Sequence, residues 1–265
     1  MILRIVYFWH LAAKIFSYAS FGFFSVLFSL AFPFLFICSG FNRRRFLKLA
    51  RKINQIFFRF FVWEMTALGI LKVHVKNREL LENLHSKVVV ANHPSFLDVV
   101  LLFSLIPNAN CIVKGTLAKT PFVRNIVNPL FIPNSIPFEK QLERAKAGLN
   151  AGESLIVFPE GTRTVPGEPL LLKKGAARFA VYSGCDVFPI YIGGNEKIGL
   201  RKKDRFFSFH PTERYHYNLE VLPLIPVQKF LNHPMPAAVS LLTEEMRSVF
   251  ETCCERDPEA EPVKR

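Results

Sequence analysis

The chain has no acidic residue before Glu64. Nine basic residues stand in that acid-free region: Arg4, Lys14, Arg43, Arg44, Arg45, Lys48, Arg51, Lys52 and Arg59. They supply nine of the net +13 charges and leave only +4 on the other 202 residues. Between Ile15 and Asn42 charge is missing altogether. Cysteine is scarce. Cys38, Cys111, Cys185, Cys253 and Cys254 show no paired or metal-like spacing, which argues against a disulfide framework or a metal site and for a reduced, cytosol-facing domain. Internal repeats are absent, so 265 residues allow one sizeable α/β domain with an appendage.

What is abundant sits at the same end. Half the residues are hydrophobic and 28 are Phe. As a helix the uncharged stretch from Ile15 to Asn42 would reach ~42 Å, against a hydrocarbon core of ~30 Å. Gly22 and Pro33 are places for a kink, and Ser17, Ser20, Ser25 and Ser29 soften the stretch. A cleaved signal peptide is the rival reading. The run is long for one, however, and Arg43-Arg44-Arg45 follow it in place of a small-residue cleavage site. Membrane attachment is therefore expected, with the arginines and the folded domain on the cytoplasmic face, the inner membrane if the source is bacterial. Spanning and re-entrant placements both remain open.

Residues 46–71 continue the theme. Phe46, Leu49, Ile53, Ile56, Phe57, Phe60 and Phe61 recur at helical spacing, with Lys48, Arg51, Lys52 and Arg59 largely between them. Such a helix can lie on an anionic bilayer, and the same pattern also serves a helix packed on the protein's own core. Nucleic acid is excluded as a partner: no binding motif is present, and phenylalanines at core-facing spacing are not a stacking platform.

An α/β pattern begins near Leu71. Strands are predicted at Leu71–Val75, Lys87–Ala91, Cys111–Val113, Phe131–Ile132, Leu155–Phe158 and Val187–Ile192, with a strand pair over Tyr215–Ile225. Helices are predicted from Pro94 through Leu105 and at Pro121–Val127, Glu139–Asn150, Lys174–Tyr182 and Ala237–Cys254. The alternation predicts a sheet flanked by helices, with an N-terminal membrane-associated helical segment. The expected organisation is 1–70 membrane-anchoring helices, 71–255 the α/β domain, and 256–265 a loose tail.

Two stretches carry chemistry. In the first, the apolar run Val88–Ala91 meets Asn92-His93-Pro94, and Asp98 follows. The residue before a proline is pushed to extended backbone, which puts His93 at a strand-to-helix corner. Helical side chains lean toward the N-terminus, so Asp98 reaches back to it. A histidine held by a carboxylate is a general base with a fixed tautomer, and it needs no enzyme nucleophile when the substrate brings a hydroxyl. The bland alternative is a solvent-facing histidine at a helix start. In the second stretch, Phe158-Pro159-Glu160-Gly161-Thr162-Arg163 follows the strand Leu155–Val157. There a small residue, a hydroxyl and a guanidinium are grouped where Arg163 can hold a phosphate and Glu160 can orient that arginine or a substrate hydroxyl. The bland alternative is a Pro-Gly turn with a surface salt bridge.

In this order the two blocks resemble the glycerolipid acyltransferases, the family that includes lysophosphatidate (1-acylglycerol-3-phosphate) acyltransferase. Lys114-x2-Leu117-x3-Pro121 resembles the start of the family's second block, Val187-Phe188-Pro189-Ile190 its fourth, and Leu172-Lys173-Lys174-Gly175-Ala176 a further segment. The likeness covers roughly residues 70–225. It implies a membrane-inserting basic helix pair at the N-terminus and acyl transfer from an acyl thioester to a lysolipid hydroxyl. His93 and Asp98 would be the catalytic pair; Glu160, Gly161, Thr162 and Arg163 would bind the acceptor, with Lys114 and Arg124 as further cations. No metal or cofactor is implied, only acyl-CoA or acyl carrier protein as co-substrate and membrane lipid as partner.

One position departs from the pattern. Where the second block ends in an arginine, Phe131-Ile132-Pro133 is followed by Asn134, and Arg124 replaces a usual glycine. Arg124 or Lys119 would have to compensate, or the acceptor carries another head group. Beside acylation of lysophosphatidate stand acylation of a different lysolipid, aminolipid or glycolipid, and a lipid-binding membrane protein without turnover.

Overall fold

A computed structural model of the chain describes residues 2–121, 123–165, 168–205 and 208–258. Two long helices come first, α1 (Ile2–Cys38) and α2 (Arg43–Ala67). The Asn42 side chain caps α2 by accepting from the Arg44 and Arg45 amides at 3.0 and 3.1 Å. There follow β1 (Leu71–Lys76), β2 (Val88–Ala91), α3 (Asp98–Leu105), β3 (Ala109–Val113), α4 (Val123–Leu130), β4 (Ile132–Pro133), α5 (Phe138–Asn150), β5 (Ser154–Val157), α6 (Gly175–Ser183), β6 (Val187–Gly193), β7 (Tyr215–Val221) and α7 (Met235–Arg256).

The seven strands form one sheet in the order β1-β7-β6-β2-β5-β3-β4. β6, β2, β5, β3 and β4 run parallel, and β7 turns back antiparallel to β6. Strand side chains alternate between the two faces. Val89, Ala91, Ile156 and Ile190 enter a core shared with α1 to α4; Val88, Val90, Leu155 and Val157 enter a second core shared with α5 to α7. β2 is thus buried on both sides, which is why its four residues read as an uninterrupted apolar run. The loops after β2, β3, β5 and β6 all leave from one edge of the sheet, the edge where α/β sheets carry their sites.

Three sequence expectations are corrected. α3 starts at Asp98, not at Pro94; the Ser95 hydroxyl and amide both bond the Asp98 carboxylate and hold 94–97 as a turn. Tyr215–Ile225 is one strand plus an isolated bridge from Ile225 to Val187, because Pro223 cannot donate to a ladder. α2 seats a different face from the apolar stripe: Phe46 and Phe61 are buried, but so are Ala50, Arg51, Asn54, Phe58 and Glu64, while Ile56 and Phe60 are exposed. The protein's own core fixes this rotation. Phe58 stacks on Phe103 of α3 with ring centroids 5.3 Å apart, and Arg51 pairs with buried Glu153 at 2.5 Å. Of the expected tail, Arg256 ends α7 and Asp257 accepts from the Tyr191 hydroxyl at 3.0 Å; residues 259–265 lie outside the described residues.

α1 is long and apolar enough to cross a membrane. Its outward side exposes Phe8, Trp9, Phe16, Phe23, Leu30 and Phe34. Its inward side meets protein at both ends: Tyr7 packs on Phe209 and Lys14 donates to the Ser208 carbonyl near one end, and Phe32 packs on Phe46 toward the other.

Candidate active site

β2 ends at Ala91, and the next two residues anchor the site. Asn92 is buried and bonded both ways to Ile192 of β6, its Nδ2 donating to the carbonyl at 2.8 Å and its Oδ1 accepting the amide at 2.7 Å. This pair bolts the corner to the neighbouring strand. His93 follows in the loop, and its Nδ1 lies 2.7 Å from Asp98 Oδ2. An ionised carboxylate only accepts, so Nδ1 carries the hydrogen and Nε2 keeps its lone pair. Asp98 is wholly buried, and burying a charge is costly unless donors surround it. Here three do: the His93 ring, the Ser95 amide at 2.7 Å and the Ser95 hydroxyl at 2.5 Å.

The loop after β5 closes on the corner from the other side. Phe158 stacks on the His93 ring, with centroids 4.1 Å apart and planes at 23°. Among the described residues Glu160 bonds neither Arg163 nor any other cation. Its Oε1 accepts from the His93 backbone amide at 2.9 Å and from the Thr164 hydroxyl at 2.7 Å. The Thr164 amide in turn donates to the His93 carbonyl at 2.7 Å. Burial pushes the Glu160 carboxyl above its ordinary value, while the Thr164 hydroxyl and the His93 amide pull it back. Gly161 has φ +68°, a left-handed conformation that turns the chain at Phe158–Gly161 and that a side chain would strain.

Arg163 Nη1 donates to the Leu200 and Arg201 carbonyls, each at 3.0 Å, while Nη2 and Nε bond none of the described residues. The same Leu200 carbonyl accepts from the Phe96 amide at 3.0 Å, so the loop after β6 ties Arg163 to the His93 corner. Among the expected residues, His93, Asp98, Glu160 and Arg163 therefore belong to one bonded group. Thr162 and Gly161 are exposed beside it, and it is Thr164, not Thr162, that touches His93. Lys114 is exposed just past β3, on the same sheet edge. Arg124 lines a separate cleft with Ser29, Phe32, Pro33, Phe36 and Phe46 of the first two helices. Asn134 uses its side-chain oxygen on the Gly115 amide at 2.9 Å, so it shapes the turn after Lys114. Ser95, Thr164 and Tyr217 were not singled out from the sequence. Ser95 lies between His93 and Asp98, whereas Tyr217, 122 residues further on, gives no local signal.

A partly buried, tautomer-fixed imidazole beside an arginine with donors to spare is an arrangement suited to taking a proton from a hydroxyl on an anionic ligand. Residues 72–193, which hold both blocks, match the model of the Acyltransferase family. The chain is 29% identical over 185 residues to a chloroplastic 1-acyl-sn-glycerol-3-phosphate acyltransferase of Arabidopsis thaliana, covering 65% of this chain and 48% of that protein. It is 24% identical over 194 residues to the 1-acyl-sn-glycerol-3-phosphate acyltransferase of Borreliella burgdorferi, covering 70% of this chain and 74% of that one. The chain spans about half the length of the plant relatives it matches. In fold it is similar to the crystal structure of the 1-acyl-sn-glycerophosphate acyltransferase PlsC of Thermotoga maritima, with a TM-score of 0.69 over 92% of this chain and 96% of that one at 22% identity.

Proposed function

We propose that the protein transfers a fatty acyl group from an acyl thioester to the free hydroxyl of 1-acylglycerol-3-phosphate, giving phosphatidic acid. The observation that carries this reading is the 2.7 Å contact between His93 Nδ1 and buried Asp98, which leaves Nε2 as the one basic atom of the pair. His93 Nε2 takes the hydroxyl proton as the oxygen attacks the thioester carbonyl carbon. The C–O bond forms, the C–S bond breaks, and the departing thiolate takes the proton back from Nε2. Base assistance of this kind is worth ~10²–10⁴-fold. Arg163 holds the acceptor phosphate through Nη2 and Nε, and Lys173, which lies against Gly161, and Lys114, exposed just past β3, are further cations on the same side of the sheet. The donor is acyl-CoA or acyl carrier protein; exposed cations suit either, since one has phosphates and the other an acidic surface.

Exposed apolar residues along α1 support membrane attachment, and protein contacts at both ends of that helix favour a placement along the interface over a full crossing. Exposed Arg43, Arg44, Arg45, Lys48 and Lys52 then face anionic head groups on the cytoplasmic leaflet.

A second reading, the same chemistry on another lysolipid or on a glycolipid, is favoured by Asn134, which offers no charge to a phosphate. The test is to supply purified protein in lipid with labelled acyl-CoA or acyl carrier protein and a panel of lysolipids, and to identify products by mass. Phosphatidic acid formed by wild type and not by His93→Ala supports the first reading. Preferred acylation of an acceptor without a phosphate monoester replaces it with the second, and no acylation of any acceptor overturns both.

A further inference from the structure

The Asp98 carboxylate is held by more than its own corner. The Ser95 hydroxyl, bonded to Asp98 Oδ1 at 2.5 Å, also lies 2.7 Å from the Tyr217 hydroxyl. Tyr217 stands on β7, beyond the residues that match the family model, and it is fully buried. A serine hydroxyl has a single hydrogen. Ser95 gives that hydrogen to the acceptor-only carboxylate and receives from the Leu97 amide at 3.1 Å, so the remaining bond must be donated by Tyr217. Every donor in the row therefore points the same way: Tyr217 to Ser95, Ser95 to Asp98. On the far side of the tyrosine, Lys197 Nζ sits 4.4 Å from the ring centroid, from the loop after β6. A cation over an aromatic face makes the phenol a better donor.

We infer that Tyr217, acting through the Ser95 hydroxyl, is a positioning residue that sets the proton affinity of the His93–Asp98 pair. The inference rests on His93 being the base, but its own readout is independent of turnover. Removing the Tyr217 hydroxyl weakens the bond that Ser95 gives to Asp98. A less satisfied buried carboxylate binds a proton more tightly, on itself or through the imidazolium beside it, so the pair keeps its inactivating proton to higher pH. The other ionisable groups facing this row are Glu160, through the His93 amide, Lys197, and Tyr215, the neighbour of Tyr217 two residues back on β7. Burial first, and then the Asp98 charge, hold the Tyr217 phenol well above its ordinary value, which keeps it a donor throughout the range to be measured.

The experiment is a titration of the His93 imidazole by NMR in detergent, on full-length protein labelled at histidine, with the His93 signal assigned by its loss in His93→Ala. Tyr217→Phe is expected to move the His93 titration upward by about half a pH unit, and Ser95→Ala by about one unit. The acid limb of kcat/KM should move with it, while both substrates' KM stay within about twofold of wild type. If Tyr217 works through Ser95, adding Tyr217→Phe to Ser95→Ala moves the titration no further. A lower melting temperature with an unmoved His93 titration assigns Tyr217 to packing alone and overturns the inference. Fully additive shifts in the double variant overturn the route through Ser95. Turnover surviving in His93→Ala removes the base assignment, and the NMR titration still decides what Tyr217 does.

Discussion

The corner after β2 and the loop after β5 stand side by side at one sheet edge and are built on opposite terms. At the corner, Ser95 and Asp98 are fully buried, and the hydroxyl of one and the carboxylate of the other are bonded to protein. In the loop, Gly161 and Thr162 are exposed, and among the described residues Arg163 bonds protein through Nη1 alone. On the proposed function the difference is one of task. A proton-transfer group must be held to within a fraction of an ångström before substrate arrives, because orientation lost at that point is lost from the rate. A recognition group has to leave donors free, and its geometry is completed by the ligand. The two are joined by few contacts, chiefly Glu160 and Thr164 to the His93 backbone and Leu200 to both sides.

Breaking the corner should have the largest effect. His93→Ala is expected to lower kcat by ~10²–10⁴-fold with acceptor KM nearly unchanged. Asp98→Asn should fall in the same range, since the amide can donate to Nδ1 and stabilise the wrong tautomer. Steady-state rates with both substrates varied check this; near-normal turnover in His93→Ala would sink the assignment. Breaking the loop should look different. Arg163→Ala removes a charge-assisted contact worth ~1.5–3 kcal/mol, which predicts an acceptor KM raised about 10- to 100-fold at a modestly lowered kcat. A kcat collapse without a KM change would mean that Arg163 serves the corner through Leu200 and not the acceptor.

Asn134→Arg sharpens the comparison at lower amplitude. The new cation would stand on an exposed turn next to Lys114, where an ion contact is worth about 1 kcal/mol or less. A rise of up to about fivefold in kcat/KM for phosphate-bearing acceptors over neutral ones is expected, with donor KM unaffected. An unchanged acceptor ratio would show that position 134 does not face the acceptor.

The same contrast explains what could be read from the sequence. β2 and β5 were legible because doubly buried strands must be apolar at every position, and His93–Asp98 was legible because the proline forces the turn between them. The start of α3 was misread by four residues: proline's preference for a first helical position is weak, and the Ser95 bonds to Asp98 override it. The amphipathic pattern of α2 identified a helix but not what its faces meet, since a bilayer and a protein core reward the same apolar spacing. The partners of Arg51, Phe58 and Glu64 come from α5–β5, α3 and α1, and no local pattern announces them. Glu160 was expected to orient Arg163 or a substrate hydroxyl. In the folded chain its carboxylate instead accepts from the His93 backbone amide and the Thr164 hydroxyl.

Glu160 also supplies the smallest test of how the loop supports the corner. Its carboxyl is held above the usual value chiefly by burial, against the hydrogen bonds from Thr164 and His93 that lower it. A group with a raised folded-state value binds more protons in the folded than in the unfolded protein between the two values. Stability therefore falls as pH rises through that window, starting from the ordinary value of 4.5, and levels off above the folded-state value. Glu160→Gln keeps an oxygen for the His93 amide and the Thr164 hydroxyl but does not titrate. Relative to wild type, the variant should become more stable as pH is raised from 4 toward neutrality, by about 1 kcal/mol or less, with the difference constant thereafter. Denaturant midpoints measured on both proteins across that range check the sign. If wild type instead gains on the variant as pH rises, the attraction of the His93 ring for the Glu160 charge outweighs burial, and the loop supports the corner by charge as well as by hydrogen bonds.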